Sequence, residues 1–164
     1  MALQTPLSWL QDFVELSMTP DALAERLTTA GLEVEVIEKI GENWGEFCVV
    51  GQIRKISKHP NGDTLNLVDV EFGADKPITL VTGAPNIKEM AENFPEPPPK
   101  VALALSGALL IDAYHEDRPL KKLKSAKIRG ISSEGMLCSE LELGLSEEHE
   151  GILILPEDAP VGKL

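Results

Sequence analysis

From Glu46 onward the chain is a series of short β-branched runs, at residues 47–56, 65–72, 78–81, 101–105, 123–128 and 152–155, punctuated by Gly, Pro and Asn. No segment of crossover-helix length separates most of these runs. A helix-covered parallel sheet is therefore disfavoured, and an antiparallel barrel or sandwich is expected. Pro95, Pro97, Pro98 and Pro99 cannot donate to a strand ladder, and beside Glu92 and Glu96 they read as a stiff, exposed loop. At 164 residues and 43% apolar content the chain can bury a core of its own.

The first forty residues have a different texture. Trp9, Leu10, Phe13 and Val14 recur at helical spacing within residues 8–16, which predicts a short amphipathic helix. A second helix is marked by Thr19 as cap, Pro20 at the first helical position, Asp21 in the first turn, Leu23, Leu27 and Ala30 on one face, and Gly31 as the stop. Leu32, Val34 and Val36 then alternate with Glu33 and Glu35, the pattern of a half-buried strand. Residues 1–41 are thus expected to form a helix-helix-strand unit too small to stand without a partner surface. Residues 42–156 are expected to form the barrel domain, and residues 157–164 to begin a connection that leads onward.

Charge narrows the choice of partner. The formal net charge is −12, which repels nucleic acid at long range, but it is unevenly spread. Residues 1–41 hold 7 acids and 2 bases, residues 42–130 hold 12 of each, and residues 131–164 hold 8 acids and 1 base. Lys121, Lys122, Lys124, Lys127 and Arg129 make the one concentrated basic stretch, so any phosphate contact is most cheaply placed there. A solvated charged hairpin is the competing reading. The apolar runs are too short to cross a bilayer, and a cytoplasmic location without membrane partners is expected. Cys48 and Cys138 have no zinc-ligand spacing and are read as reduced thiols. His59, Asp63 and Ser133 contain the elements of a hydrolytic triad, yet no nucleophile elbow, P-loop or paired metal carboxylates accompany them. Glu147, Glu148, His149 and Glu150 read as a solvated acidic loop rather than as metal ligands.

Four segments are more specific than composition. The first is His59-Pro60-Asn61-Gly62-Asp63-Thr64-Leu65, a turn after a long strand. The second is Val81-Thr82-Gly83-Ala84-Pro85-Asn86-Ile87, where small residues permit close backbone approach and the Asn86 amide can bind a loop or a ligand. The third runs from Lys127-Ile128-Arg129-Gly130 through Ser133-Glu134-Gly135-Met136 to Cys138-Ser139-Glu140, and the fourth from Leu143-Gly144-Leu145-Ser146 through His149-Glu150-Gly151-Ile152-Leu153. In this order they resemble the tRNA-binding domain shared by bacterial phenylalanyl-tRNA synthetase beta subunits, the C-terminal extension of some methionyl-tRNA synthetases, and EMAP-II-like tRNA-binding proteins. The lead-in Leu7-Ser8-Trp9-Leu10 with Ala30-Gly31-Leu32-Glu33-Val34-Glu35, and the ending Pro156-Glu157-Asp158-Ala159-Pro160-Val161-Gly162, are similar to the phenylalanyl beta subunit in particular.

The resemblance implies an OB-fold antiparallel β-barrel, mainly β with a small α+β lead-in, acting as an auxiliary tRNA-binding and architectural part of an ATP-dependent ligase. It implies no catalytic site and no cofactor in this stretch. ATP and magnesium belong to the whole synthetase, whose partners are the alpha subunit and the later beta-subunit domains in a heterotetramer of two alpha and two beta chains. Leu164 is expected to be a cut through a longer chain. Candidate RNA-binding residues are Asn86, Lys122, Lys124, Lys127, Arg129, Ser133, Met136 and Ser139. Gly62, Asp63 and Thr64 stand where the family has Ala, Asp and Lys, so one cation is lost. Extra residues around 94–99 and 114–120 depart from the family pattern; the latter lengthen the basic hairpin. With aromatic residues at 4%, and Phe47 and Phe72 expected in the core, contact is expected to be weak and directed to phosphates rather than bases. The alternatives are an OB-fold scaffold that binds protein, favoured by the net charge, and a free-standing module that delivers tRNA in trans, for which the apolar lead-in has no use.

Overall fold

The computed structural model describes residues 4–163, which divide into two compact units, Met1–Lys39 and Ile40–Leu164. In the first unit, α1 (Leu7–Gln11) continues into a loose turn that brings Phe13 edge-on to Trp9, with ring centroids 6.0 Å apart. Helix α2 (Pro20–Thr29) starts where Thr19 accepts the Ala22 N–H at 3.3 Å. It stops in a paired C-terminal lock: Gly31, at φ +93°, donates to the Thr28 carbonyl, and Leu32 donates to that of Leu27 at 2.9 Å.

The strand expected at residues 32–36 does not form. This segment is unladdered, because no strand among the described residues of its unit takes up its N–H and C=O groups, and the Val34 N–H instead donates to Thr28 Oγ1. The expected helix at 8–16 is likewise shorter than its apolar spacing suggests. Trp9, Phe13, Leu32 and Val36 are 54%, 78%, 65% and 70% exposed.

The second unit is built on β1 (Cys48–His59), β2 (Gly62–Glu71), β3 (Ile78–Thr82) and β4 (Lys100–Leu105), all antiparallel. Strand β1 serves two neighbours. Its first part pairs with β4 (Cys48↔Ala104 to Gln52↔Lys100), and its remainder pairs with β2 (Gln52↔Glu71 to His59↔Gly62). Where β2 leaves β1, the tail takes the vacated edge: Val50 donates to the Lys163 carbonyl at 2.7 Å and accepts from Gly162 N–H at 2.8 Å.

Two short hairpins follow β4. Strand β5 (Leu109–Ile111) pairs with β6 (Leu120–Lys122), and β7 (Ala126–Ile128) pairs with β8 (Ile131–Ser133). Strand β9 (Gly135–Leu137) pairs with the end of β4, while β10 (Ile154–Leu155) pairs with its beginning. The ring β1–β2–β3–β9–β4 is the nearly closed antiparallel barrel of an OB-like fold. Its seam is closed by a side chain, since Ser133 Oγ accepts the Val81 N–H at 3.2 Å and donates to the Gly135 carbonyl at 3.0 Å. Gly135 is required where β9 meets β4, because a Cβ there would lie 2.6 Å from the Ala104 carbonyl oxygen.

Alternation along β4 divides the core in two. Val101 and Leu103 join Ile53, Val68, Val70 and Leu80 inside the barrel, which α3 (Pro85–Glu92) plugs with Ile87. Ala102 and Ala104 face outward and let Cys138 and Leu143 pack close against them with Cys48 and Leu110. Helix α3 is absent from the strand pattern because its eight residues offer only Ile87 and Met90 at helical spacing behind a Gly-Ala-Pro-Asn opening. Of the run at 123–128, expected as one strand, only its second half forms one, as β7: Leu123 turns into the second core, and residues 123–125 separate β6 from β7.

Candidate nucleic-acid interface

The candidate residues fall into two groups. Asn86, Ser133, Ser139 and Met136 are held by the protein itself. Asn86 sits in the first turn of α3 and clamps the backbone of one residue, its amide donating to the Ile152 carbonyl at 2.9 Å while its oxygen accepts the Ile152 N–H at 3.1 Å. Ser133 is buried in the barrel seam. Ser139 is buried and donates to Glu142, whose carboxylate also accepts the Ser139 N–H at 2.7 Å. Met136 is half-buried against the second core. A cleft of about 260 Å³ beside Asn86 is lined by Glu140 and Glu148, carboxylates that repel a phosphate.

Lys122, Lys124, Lys127 and Arg129 are exposed, and no salt bridge among the described residues includes them. They are not one arm. Lys122 stands on the β5–β6 hairpin and Lys127 on β7, with Lys124 in the connection after Leu123. Neighbouring cations are already neutralised. Lys121 binds Asp112 at 2.9 Å, and that hydrogen bond holds the Asp112 carboxyl below its ordinary range; Arg118 pairs with Glu147.

The β7–β8 hairpin is braced to the tip of the first hairpin through His59. This imidazole is 4% exposed, accepts the Asn61 N–H on Nδ1 at 3.0 Å, and reaches the Ile128 carbonyl with Nε2 at 3.3 Å. Arg129 Nη1 donates to the Asn61 carbonyl at 3.0 Å. The sequence places His59 and Asn61 in a turn motif but gives no sign that they meet residues almost seventy positions later. A histidine directly before a proline turn was the one available signal.

Aromatic platforms are few. Trp44 is tied by its indole N–H to the Leu143 carbonyl at 3.2 Å, and Phe72 packs against the barrel core as expected. Phe47 instead lies partly exposed, with its ring over Gly107. Tyr114 is 91% exposed.

The sequence pattern of the putative tRNA binding domain family matches residues 48–96 and 117–164, more than half of the chain. The chain belongs to this family. The match spans β1 to α3 and then β6 to the tail, and it passes over residues 97–116. Among curated relatives, the phenylalanine–tRNA ligase beta subunit of Dehalococcoides mccartyi is 48% identical over 162 residues, covering 99% of this chain and 18% of the relative. That of Burkholderia lata is 44% identical over 161 residues, covering 98% and 19%. The chain thus spans about a fifth of the length of these relatives. A solved methionyl-tRNA synthetase related protein from Pyrococcus horikoshii aligns with a TM-score of 0.44 at 25% identity, over 71% of this chain and 85% of that one.

Proposed function

We propose that this chain serves as the N-terminal region of a phenylalanine–tRNA ligase beta subunit, giving auxiliary tRNA contact and architecture to the complex that attaches phenylalanine to its tRNA. The observation that carries the reading is the identity of nearly half over 99% of the chain with subunits of that name, combined with membership of a tRNA-binding domain family. In this reading the chain works in the cytoplasm beside the alpha subunit and the later beta-subunit domains, in a complex of two alpha and two beta chains. ATP and magnesium act elsewhere in that complex.

The RNA-facing surface in this proposal is the exposed set Lys122, Lys124, Lys127 and Arg129, whose charges face solvent unopposed. Because they contact phosphates, affinity falls with salt, by a log-log slope of about 0.7 per phosphate on single strands. Titration of a labelled tRNA transcript at low and moderate salt tests this: Lys122→Ala, Lys124→Ala and Lys127→Ala together should weaken binding and flatten the slope. Unchanged affinity and slope would move the RNA surface elsewhere.

A second reading, a scaffold that binds protein, is favoured by the exposed side chains Trp9, Phe13, Val14, Leu32 and Val36 in the first unit. The two are compatible if the apolar unit docks onto later beta-subunit domains while the barrel meets RNA. Absence of tRNA binding by the wild-type chain at low salt would leave the scaffold reading alone.

A further inference from the structure

Among the described residues only two besides glycine have positive φ, and both are arginines: Arg118 at +46° and Arg129 at +45°. Such a conformation is uncommon for a side chain of this size and is a steric cost wherever it persists. Arg129 and Gly130, at φ +97°, form the two-residue turn between β7 and β8, flanked by the pair Ile128↔Ile131. Two positive φ angles in such a turn call for Asn-Gly, so arginine is a poor choice for the turn itself. Its use there points to the guanidinium.

The two arginines differ in what their forks meet. Arg118 pairs with the Glu147 carboxylate, which cancels its charge. Arg129 is exposed and donates one Nη1 hydrogen to a neutral acceptor, the Asn61 carbonyl. Of the five N–H donors of a guanidinium, four remain available together with the whole charge. The fork is thereby half-immobilised, which lowers the entropy lost when it grips a second ligand. Its anchor is fixed in turn. His59, buried, accepts from Asn61 N–H and, with its proton on Nε2, donates to the Ile128 carbonyl, so one imidazole holds both the residue whose carbonyl anchors Arg129 and the strand end that leads into it.

We propose that Arg129 is a bidentate anchor for one backbone phosphate of RNA, and that His59 is the positioning residue that presents it. The proposal rests on the tRNA-binding reading and deepens it. Lys127, across the hairpin from Ser132, supplies a second cation for the neighbouring phosphate without a fixed geometry. A planar fork matches two oxygens of a phosphate or of a carboxylate, and the tRNA-binding domain family to which the chain belongs favours the phosphate.

The test is anisotropy titration of a tRNA transcript into the 164-residue chain across a salt series, with thermal melts in parallel. Arg129→Asn removes the fork but suits the left-handed turn; its melting temperature should hold or rise, while affinity drops about tenfold or more and the salt slope falls by about 0.7 to 0.9. Arg129→Lys should keep the slope and lose part of the affinity. His59→Ala should reproduce the slope loss, and the double variant should lose no more than either alone. Should His59→Ala fail to fold, His59→Gln, which keeps a donor toward Ile128, should retain most of the slope. A merely structural histidine would lower the melting temperature and leave the slope intact, and additive losses in the double variant would likewise overturn the positioning role. If Arg129→Asn binds as wild type while the triple lysine variant is weakened, the anchor is wrong and the tRNA reading stands. If wild type binds no tRNA at low salt, both fall.

Discussion

Asn86 shows how a side chain that suits a ligand can also be engaged by its own protein. Its amide closes two hydrogen bonds on Ile152, and the α3 turn that presents it is locked by Ile87 inside the barrel. Asn86→Ala would leave a partly buried N–H and C=O without partners, at about 1–3 kcal/mol. Urea denaturation should register that loss, with tRNA affinity changed little by comparison. Cys138 gives a second residue-scale prediction. Burial, with smaller contributions from Glu142 and Cys48, pushes its thiol well above the ordinary 9.0. A raised folded-state value means its contribution to stability is full below the ordinary thiol range and declines as pH rises through and beyond it. Denaturation midpoints should therefore drop between neutral pH and pH above about 9. Cys138→Ala, less stable at neutral pH, should show a shallower decline, and an equally steep one would assign the effect to other groups.

At the scale of elements, the strands were legible and their partners were not. Alternation locates β1 to β4 because each has one face in the barrel and the other half-covered, the condition under which a period of two is written into sequence. It overshoots at residues 32–36, where the alternation is present but no neighbouring strand supplies the ladder. It misses α3, whose burial is carried by two side chains, and β8 and β9, which are three residues each and stitched by Ser133. The basic stretch was legible as charge but not as shape. Leu123 divides it by burying itself in the second core, so Lys122 and Lys127 belong to separate hairpins. The triple lysine substitution is expected to act as a sum over independent contacts. Single variants should each lower the salt slope by about the same amount, up to 0.7, whichever hairpin they stand on. A single variant that carried the whole effect would show one contact rather than a surface.

For the whole molecule, two forces of opposite salt dependence meet in one chain. Residues 1–41 carry 7 acids against 2 bases, and the same stretch exposes Trp9, Phe13, Val14, Leu32 and Val36. Apolar area of this kind drives association, while like charge on each copy opposes it. Screening removes the opposition: the Debye length falls from about 10 Å at 0.1 M salt to about 3 Å at 1 M. Without a covering partner, the chain should therefore self-associate more as salt rises, at the same time as its phosphate contacts weaken. Light scattering across that range should show the apparent mass climbing, and Trp9→Ser with Phe13→Ser should suppress the climb without shifting tRNA affinity, because those residues lie outside the second unit that carries the cations. If the mass stays that of a single chain throughout, the apolar side chains of the first unit do not act as a docking face. If the two serine substitutions weaken tRNA binding as well, the division of labour between an apolar docking unit and an RNA-facing barrel fails.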